Sequence, residues 1–454
     1  MAGRDQEHHV TIELQCGLDE RFLQLESAGN YDIMPNKAGK VPLFMKNHPN
    51  LSKYFEPSFV SFGPVHHGNK KYQSAEKYKL RLANYFVKDS GKFANLLYQK
   101  VEDNCERLMQ YFDEEVAGDY NKQDLAWMLF VDGCAVLQSI FCVVEVTFEE
   151  LKIEHDKMAL WEQDLFLLEN QLPYQLLLDL MDSSAKKDAL RTSIKAFINK
   201  HSVALHSYNQ KEPEGPAHIL DYLWQILVDE EQYLNHFKIM KWYRHAERHG
   251  QSVPWHHNVQ ELKTAGINVK PGKGRTLTDI DFIYNLLNFY PGYLSIPPVV
   301  IDYATGFKLV NLIAYEMTRP GMSNYDGVRS YVSFLGSILD GTGDVKELIK
   351  ARVLYNFLDK DDEVFQLFKD ISSTLNIPVP NEFHVNVKRK IEKYYGNKYR
   401  IWMAQLFHDL FNRPWKILTF FGSFSALFLT ATQTLYPIFS PSGHGEDQVR
   451  KKFI

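Results

Sequence analysis

The chain lacks most of the features that announce a chemistry. Its 454 residues hold four cysteines, Cys16, Cys105, Cys134 and Cys142, with no CxxC pair and no zinc-ligand spacing. Such usage suits a reducing compartment, and Cys134 and Cys142 are expected to fill a helical core. Charge of one sign is lacking too: 51 Lys and Arg against 56 Asp and Glu leave a net charge of −5. With no basic domain and no recognition motif, nucleic acid is not an expected partner. The opening residues, MAGRDQEHHVTIELQCG, contain no apolar run of the kind that forms a signal peptide. The expectation is a chain made and folded on the cytosolic side. GxSxG, P-loop, strand-borne GxGxxG and kinase signatures are absent, as are internal repeats and low-complexity tracts. No cofactor is implied.

What is present is an apolar fraction of 45%, enough in a chain of this length for a substantial core in one large domain or two ordinary ones. The first sixty residues mix apolar bits with Gly, Pro and Asn and read as a loosely structured arm. PSFVSFGPVHHG follows as an extended, alternating segment closed by a Gly63-Pro64 turn. Leu97, Val101, Cys105, Leu108 and Phe112 then recur at spacings of a helical stripe, with Lys100, Glu102, Asp103 and Glu106 on the other face. LAWMLFVDGCAVLQSIFCVVEV has no polar face and reads as a helix buried in mid-domain, in which Asp132 and Glu145 stand out. WEQDLFLLENQLPYQLLLDLM is a second apolar helical pattern, broken or bent at Pro173. Polar stretches at 207–216 and 244–254 read as loops. AGINVKPGKGRTL and YLSIPPVVIDY hold short β-branched runs that form a minor β element.

The tail carries the strongest single signal. From Ile417 to Phe439 (ILTFFGSFSALFLTATQTLYPIF) no residue is charged, and Ile417, Phe420, Phe421, Leu427, Phe428, Leu429 and Leu435 make the stretch rich enough to partition into lipid. As a helix it reaches roughly 34 Å, enough to cross a hydrocarbon core of roughly 30 Å. Trp415 and Tyr436 supply aromatic residues for the two interfaces, and Pro437 is expected to end the helix. Seven Ser, Thr or Gln side chains in the segment favour the competing reading of a core helix. The fold class is therefore mainly α: a large helical domain with a minor β element and a C-terminal single-pass transmembrane helix. Residues 1–56 are the arm, 57–413 the helical domain, 414–439 the anchor and 440–454 a short polar tail. Lys398, Arg400, Arg413 and Lys416 before the anchor nearly balance Arg450, Lys451 and Lys452 after it. Charge thus leaves the topology open, and the absent signal peptide favours a cytosolic domain.

Two constellations invite a chemical reading. His66-His67 and His256-His257 could serve as metal ligands or as acid and base. Adjacent residues point to different sides of an extended chain, however, and no HExxH or Cys partner accompanies them, so a turn histidine bonded to backbone is the plainer expectation. Asp132 and Glu169 could form a carboxylate pair, but acids within apolar runs are more often buried partners of a cation or a backbone N–H. No metal or catalytic residue is assigned.

Taken in order, PSFVSFGPVHHG with the Glu76-Lys77 pair, FVDGCAVLQSI, LLENQLPYQLL, ELKTAGINV, YLSIPPVVID, NLIAYE and a final PWKIL before an apolar segment resemble the plant family known as domain of unknown function 247. The resemblance spans about Pro57 to Tyr436, with Phe62 and the stretch from Cys134 to Gln138 departing from the expected pattern. It implies a mainly helical domain tethered to membrane, without an established activity or catalytic residues. In grasses, members similar to this chain are associated with self-incompatibility loci as proposed pollen-side determinants. The motif residues Gly63, Pro64, His66, His67, Gly68, Asp132, Gly133, Glu169, Asn170, Gln171, Pro173, Asn311 and Glu316 are then expected to be structural. Gly63-Pro64 would set a turn, Asp132-Gly133 interrupt a buried helix, and Asn170-Gln171 cap backbone groups freed at the break before Pro173.

The sequence points to a membrane-anchored plant protein without enzymatic activity, in the plasma membrane, acting in recognition or signalling, with pollen-side self-incompatibility as the most concrete process. Its partners are membrane lipid and an unidentified protein or ligand. Recognition would sit on the loops at 207–216 and 244–254 and on the arm. The alternatives are a hydrolase-like enzyme using His66, His67, Asp132 and Glu169, and a membrane scaffold for partner proteins.

Overall fold

The computed structural model describes residues 39–113, 116, 118, 120–147, 153–205, 213, 215–228, 255, 257–284, 291–319, 326–374, 384–396 and 414–439. Helix dominates, as the periodicities predict. The hub is α3 (Lys122–Val144), preceded by α1 (Gln73–Ser90) and α2 (Ala94–Asp103). Its start is set by Asn121, whose side chain accepts the Asp124 N–H at 2.8 Å. Beyond its exposed first turn and Trp127, α3 is hydrophobic all round, and α1 and α2 pack on it together with α5 (Tyr174–Ser183) and α6 (Lys187–His201). It is long and apolar enough to cross a membrane, but 83% of that stretch is buried inside the domain. Glu145, the acid at its end, is exposed as the C-cap.

Between the hub and α5 lies α4 (His155–Asp164), followed by a short 3-10 turn at Leu168–Asn170. The break expected at Pro173 gives two separate helices, since Pro173 itself is the extended N-cap of α5. The stripe from Leu97 to Phe112 is buried as expected, yet two helices carry it as far as Leu108 and Phe112 lies past the second: the chain is interrupted at Asn104, whose side-chain amide donates to the Lys100 carbonyl at 3.0 Å.

The second half adds α7 (Ile219–Leu227), α8 (Val259–Thr264), β1 (Ile267–Pro271), β2 (Asp281–Ile283), β3 (Gly292–Ile296), β4 (Val299–Ile301), α9 (Thr305–Thr318), α10 (Gly327–Ile338), α11 (Thr342–Lys350), β5 (Leu354–Asn356), α12 (Asp361–Thr374) and α13 (Val385–Tyr395). The minor β element is two small sheets. In one, β3 pairs parallel with β1, Ile267 opposite Gly292, and antiparallel with β2; in the other, β4 runs parallel to β5. Buried side chains from both halves form one continuous core.

Residues 39–56 differ from the expected arm. Val41, Met45, Leu51 and Phe55 are between 0% and 4% exposed, so this segment belongs to the domain core. Its apolar residues are too sparse for a periodicity, and only the groove that receives them reveals their role. PSFVSFGP differs as well: it bends at Ser58, Phe59 and Gly63 and forms no strand, and side chains supply the partners for its backbone.

The last helix, α14 (Pro414–Phe439), includes Pro437 within its final turn, where the expectation had ended it. A proline there has no N–H to offer the carbonyl four residues back, so the last turn lacks one backbone bond.

Candidate functional site

Asp164, Asn170, Asp132 and Lys79 converge on the segment from Ser58 to Gly63, drawing together the end of α4, the middle of α3 and the first half of α1. Asp164, fully buried at the end of α4, accepts the N–H groups of Ser58, Phe59 and Val60 at 2.8, 2.7 and 2.8 Å. Burial pushes its carboxyl up to about 6, against the pull of those three donors. Asn170 follows, accepting the Phe62 N–H at 2.7 Å while its amide donates to the Val60 and Asp164 carbonyls, each at 3.0 Å. Asp132 takes the Gly63 N–H at 2.9 Å and lies 2.7 Å from the Lys79 ammonium. Lys79 in turn donates to the Ser61 carbonyl at 2.9 Å and meets Glu76 at 2.8 Å. Burial opposes its charge, but Asp132 and Glu76 hold it above the ordinary value. Gly63 has φ +69°, the left-handed region that glycine adopts without strain. Gly68, beyond the segment, has φ +76°.

Three further buried groups extend this pattern. Gln171 donates to the Leu165 and Leu167 carbonyls, each at 2.8 Å, and accepts the Leu220 N–H at 3.0 Å. Asn311 accepts the Leu168 N–H at 2.8 Å and donates to the Tyr54 carbonyl at 2.7 Å. Glu316 accepts from the Trp224 indole at 2.8 Å and from the Val328 and Arg329 backbones at 2.8 and 2.9 Å. Burial, with the nearby Asp326 carboxylate, pushes Glu316 up to about 8, and the three donors oppose the shift. Each of these side chains ties one stretch of backbone to another, satisfying groups that would otherwise be buried unpaired.

The four residues of the hydrolase alternative are not gathered around one point. Asp132 is occupied by Gly63 and Lys79. Glu169 accepts the Val41 N–H at 3.1 Å and pairs with Lys46 at 2.7 Å. His66 Nε2 lies 3.6 Å from Glu169 and makes no hydrogen bond, so it is not the backbone-bonded turn histidine expected; burial lowers its pKa, against the pull of Glu169. His67 is exposed, its ring edge-on to Tyr120 at 6.0 Å. A cavity beside Glu169, bounded by Lys40, Val65, Phe112 and Gln171, measures about 10 Å³, room for about one water. Among the described residues no group of three His, Cys, Asp or Glu is placed to hold a metal. His257 stacks on Tyr395 at 4.0 Å and lies 3.3 Å from Glu392. His256, the arm before residue 39, the loop at 244–254 and most of 207–216 lie outside the described residues.

Lys79 and Asp164, central to this network, escaped the sequence reading. A signal existed for Lys79, which occupies the apolar stripe of α1 with Ala75, Leu82 and Phe86; a lysine there needs a buried partner.

The helix α14 presents a different surface. From Leu418 to Tyr436 it is long and apolar enough to cross a membrane, and none of it is buried. Trp415 and Tyr436 at its ends are 79% and 76% exposed. Its threonine hydroxyls are satisfied within the helix: Thr419, Thr430 and Thr434 donate at 2.7 Å to the carbonyls four residues back, and Thr432 at 2.8 Å to that of Leu429. The polar residues that favoured a core helix thus include four threonines that ask nothing of their surroundings.

Fold and network define a helical domain closed by buried polar clasps, followed by an exposed apolar helix. The chain belongs to the family described as plant protein of unknown function (DUF247), whose model matches residues 39–429. It is similar to the UPF0481 protein At3g47200 of Arabidopsis thaliana, 24% identical over 450 residues that cover 94% of this chain and 90% of the relative. No solved structure matches.

Proposed function

We propose that this chain is a membrane-anchored recognition or signalling protein of plants that carries out no enzymatic reaction, held in the plasma membrane by α14 with its large domain in the cytosol. The observation that carries this reading is the fully exposed apolar helix with internally bonded threonines, a surface suited to lipid and costly in water. The clasps support the non-enzymatic part, because the conspicuous acids Asp132, Asp164 and Glu169 are spent on backbone and lysine. The domain acts as a rigid scaffold whose loops set the choice of partner. Pollen-side self-incompatibility is the most concrete process this reading offers.

Fractionation of plant cells expressing the full chain and a truncation ending before Pro414 tests it. The full chain should stay with membranes after a high-salt wash, and the truncation should be soluble. Leu427→Arg should also release the chain in part, since an arginine at the centre of a span costs about 2.5–3.5 kcal/mol. A truncation that still sediments with membranes would sink the reading.

A further inference from the structure

The solvent face of α1 carries a concentration of positive charge that the chain as a whole lacks. Around the ring of Tyr78 stand three cations: Lys77 at 5.1 Å, Arg81 at 5.7 Å and Lys157 of α4 at 5.9 Å from its centre. All three crowd the same ring. Glu154 meets Lys157 at 2.8 Å. Of the two acids of α1, Glu76 is turned to the buried Lys79 and Asp89 meets Lys186 of the neighbouring segment at 2.9 Å. Two turns beyond Arg81 on the same face, the exposed Lys88 sits over Tyr85 at 5.8 Å. Among these cations two leucines face solvent: Leu80, beside Arg81 and 51% exposed, and Leu160, one turn from Lys157 and 38% exposed.

Exposed leucines interleaved with lysine and arginine on a convex helical face match the boundary of an anionic bilayer, where phosphates meet the cations and the leucines reach the acyl edge. A polyanionic peptide would call for a groove, and this face is a helix surface. We propose that Lys77, Leu80, Arg81 and Lys88 of α1, with Lys157 and Leu160 of α4, dock the domain onto an anionic lipid surface. The proposal rests on the reading that α14 tethers the chain to membrane, and it adds the side on which the tethered domain lies down.

The test adds full-length chain to preformed vesicles of phosphatidylcholine, alone or with phosphatidylserine, and reads lysine reactivity toward a water-soluble acylating reagent by mass spectrometry. Lys77 and Lys88 should lose reactivity several-fold only with phosphatidylserine and regain it in high salt, while the 70% exposed Lys350 is unchanged. In the triple variant K77Q/R81Q/K157Q the protection of Lys88 should vanish although the chain still floats with the vesicles. Equal reactivity of Lys77 and Lys88 in both vesicles overturns the proposal. If salt washes the chain from both vesicles, the tether has failed instead. The face is then judged by low-salt flotation with phosphatidylserine, where three charges amount to on the order of 100-fold in binding constant. Flotation that the triple variant leaves unchanged overturns it.

Discussion

The Lys79 ammonium lies 2.7 Å from the Asp132 carboxylate, and each side chain is 1% exposed. Removing one partner of such a pair leaves a buried charge uncompensated, at a cost of about 3–5 kcal/mol. Asp132→Asn keeps an oxygen for the Gly63 N–H but turns its NH2 group toward the Lys79 ammonium, so the pair loses both its charge and its acceptor. It should lower stability by about 3 kcal/mol in denaturant unfolding, and Lys79→Met by a similar amount. Because the two act on one interaction, the double variant should be less destabilised than the singles combined, by about 1–3 kcal/mol. Additive effects would show that the pair is not the unit holding the Gly63 turn.

Glu316 makes stability depend on pH. Its carboxyl is pushed up to about 8 from an ordinary 4.5, so over that range the folded chain keeps a proton that the unfolded chain has released. The contribution is therefore full below 4.5, falls as pH rises toward 8 and is flat above. Glu316→Gln keeps one oxygen as acceptor but places an NH2 group where Oε2 meets the Arg329 N–H, and should lower stability. Its unfolding free energy should nevertheless change less between about pH 5 and about pH 8, by on the order of 3 kcal/mol. Parallel pH profiles for variant and parent would refute the assignment.

Two motif glycines should fail for different reasons. A methyl group on Gly133 of α3 would stand 2.7 Å from the Leu180 side chain and 3.2 Å from that of Leu176, so Gly133→Ala overpacks the contact between α3 and α5, at about 1–3 kcal/mol. At Gly63 the same methyl would meet nothing closer than 3.6 Å, and Gly63→Ala suffers only from its positive φ, at about 1–2 kcal/mol. Leu180→Val, by withdrawing the opposing methyl, should recover part of the Gly133→Ala loss in thermal melts and none of the Gly63→Ala loss. Equal recovery in both would remove the distinction.

What sequence reading reached and what it missed divide along physical lines. The stripe from Leu97 to Phe112, the all-apolar hub around Asp132 and the uncharged run from Ile417 to Phe439 were legible, because burial or lipid contact along a helix imposes a local pattern. Asn104 shows the limit even there, since a single amide bonding to Lys100 splits a helix without disturbing its stripe. Val41 and Met45 were read as arm because a few apolar residues among Gly and Pro carry no period.

Helical class, the central buried helix and the exposed apolar tail were determined by the sequence alone, through composition and spacing within a few turns. The roles of the polar motif residues were decided only in the tertiary structure. Asn170 reaches Phe62 across 108 positions, Glu169 reaches Val41 across 128, and Asn311 reaches Tyr54 across 257. A hydrogen bond spanning such separations leaves no trace in local periodicity, because its partner is a backbone group that any residue could supply.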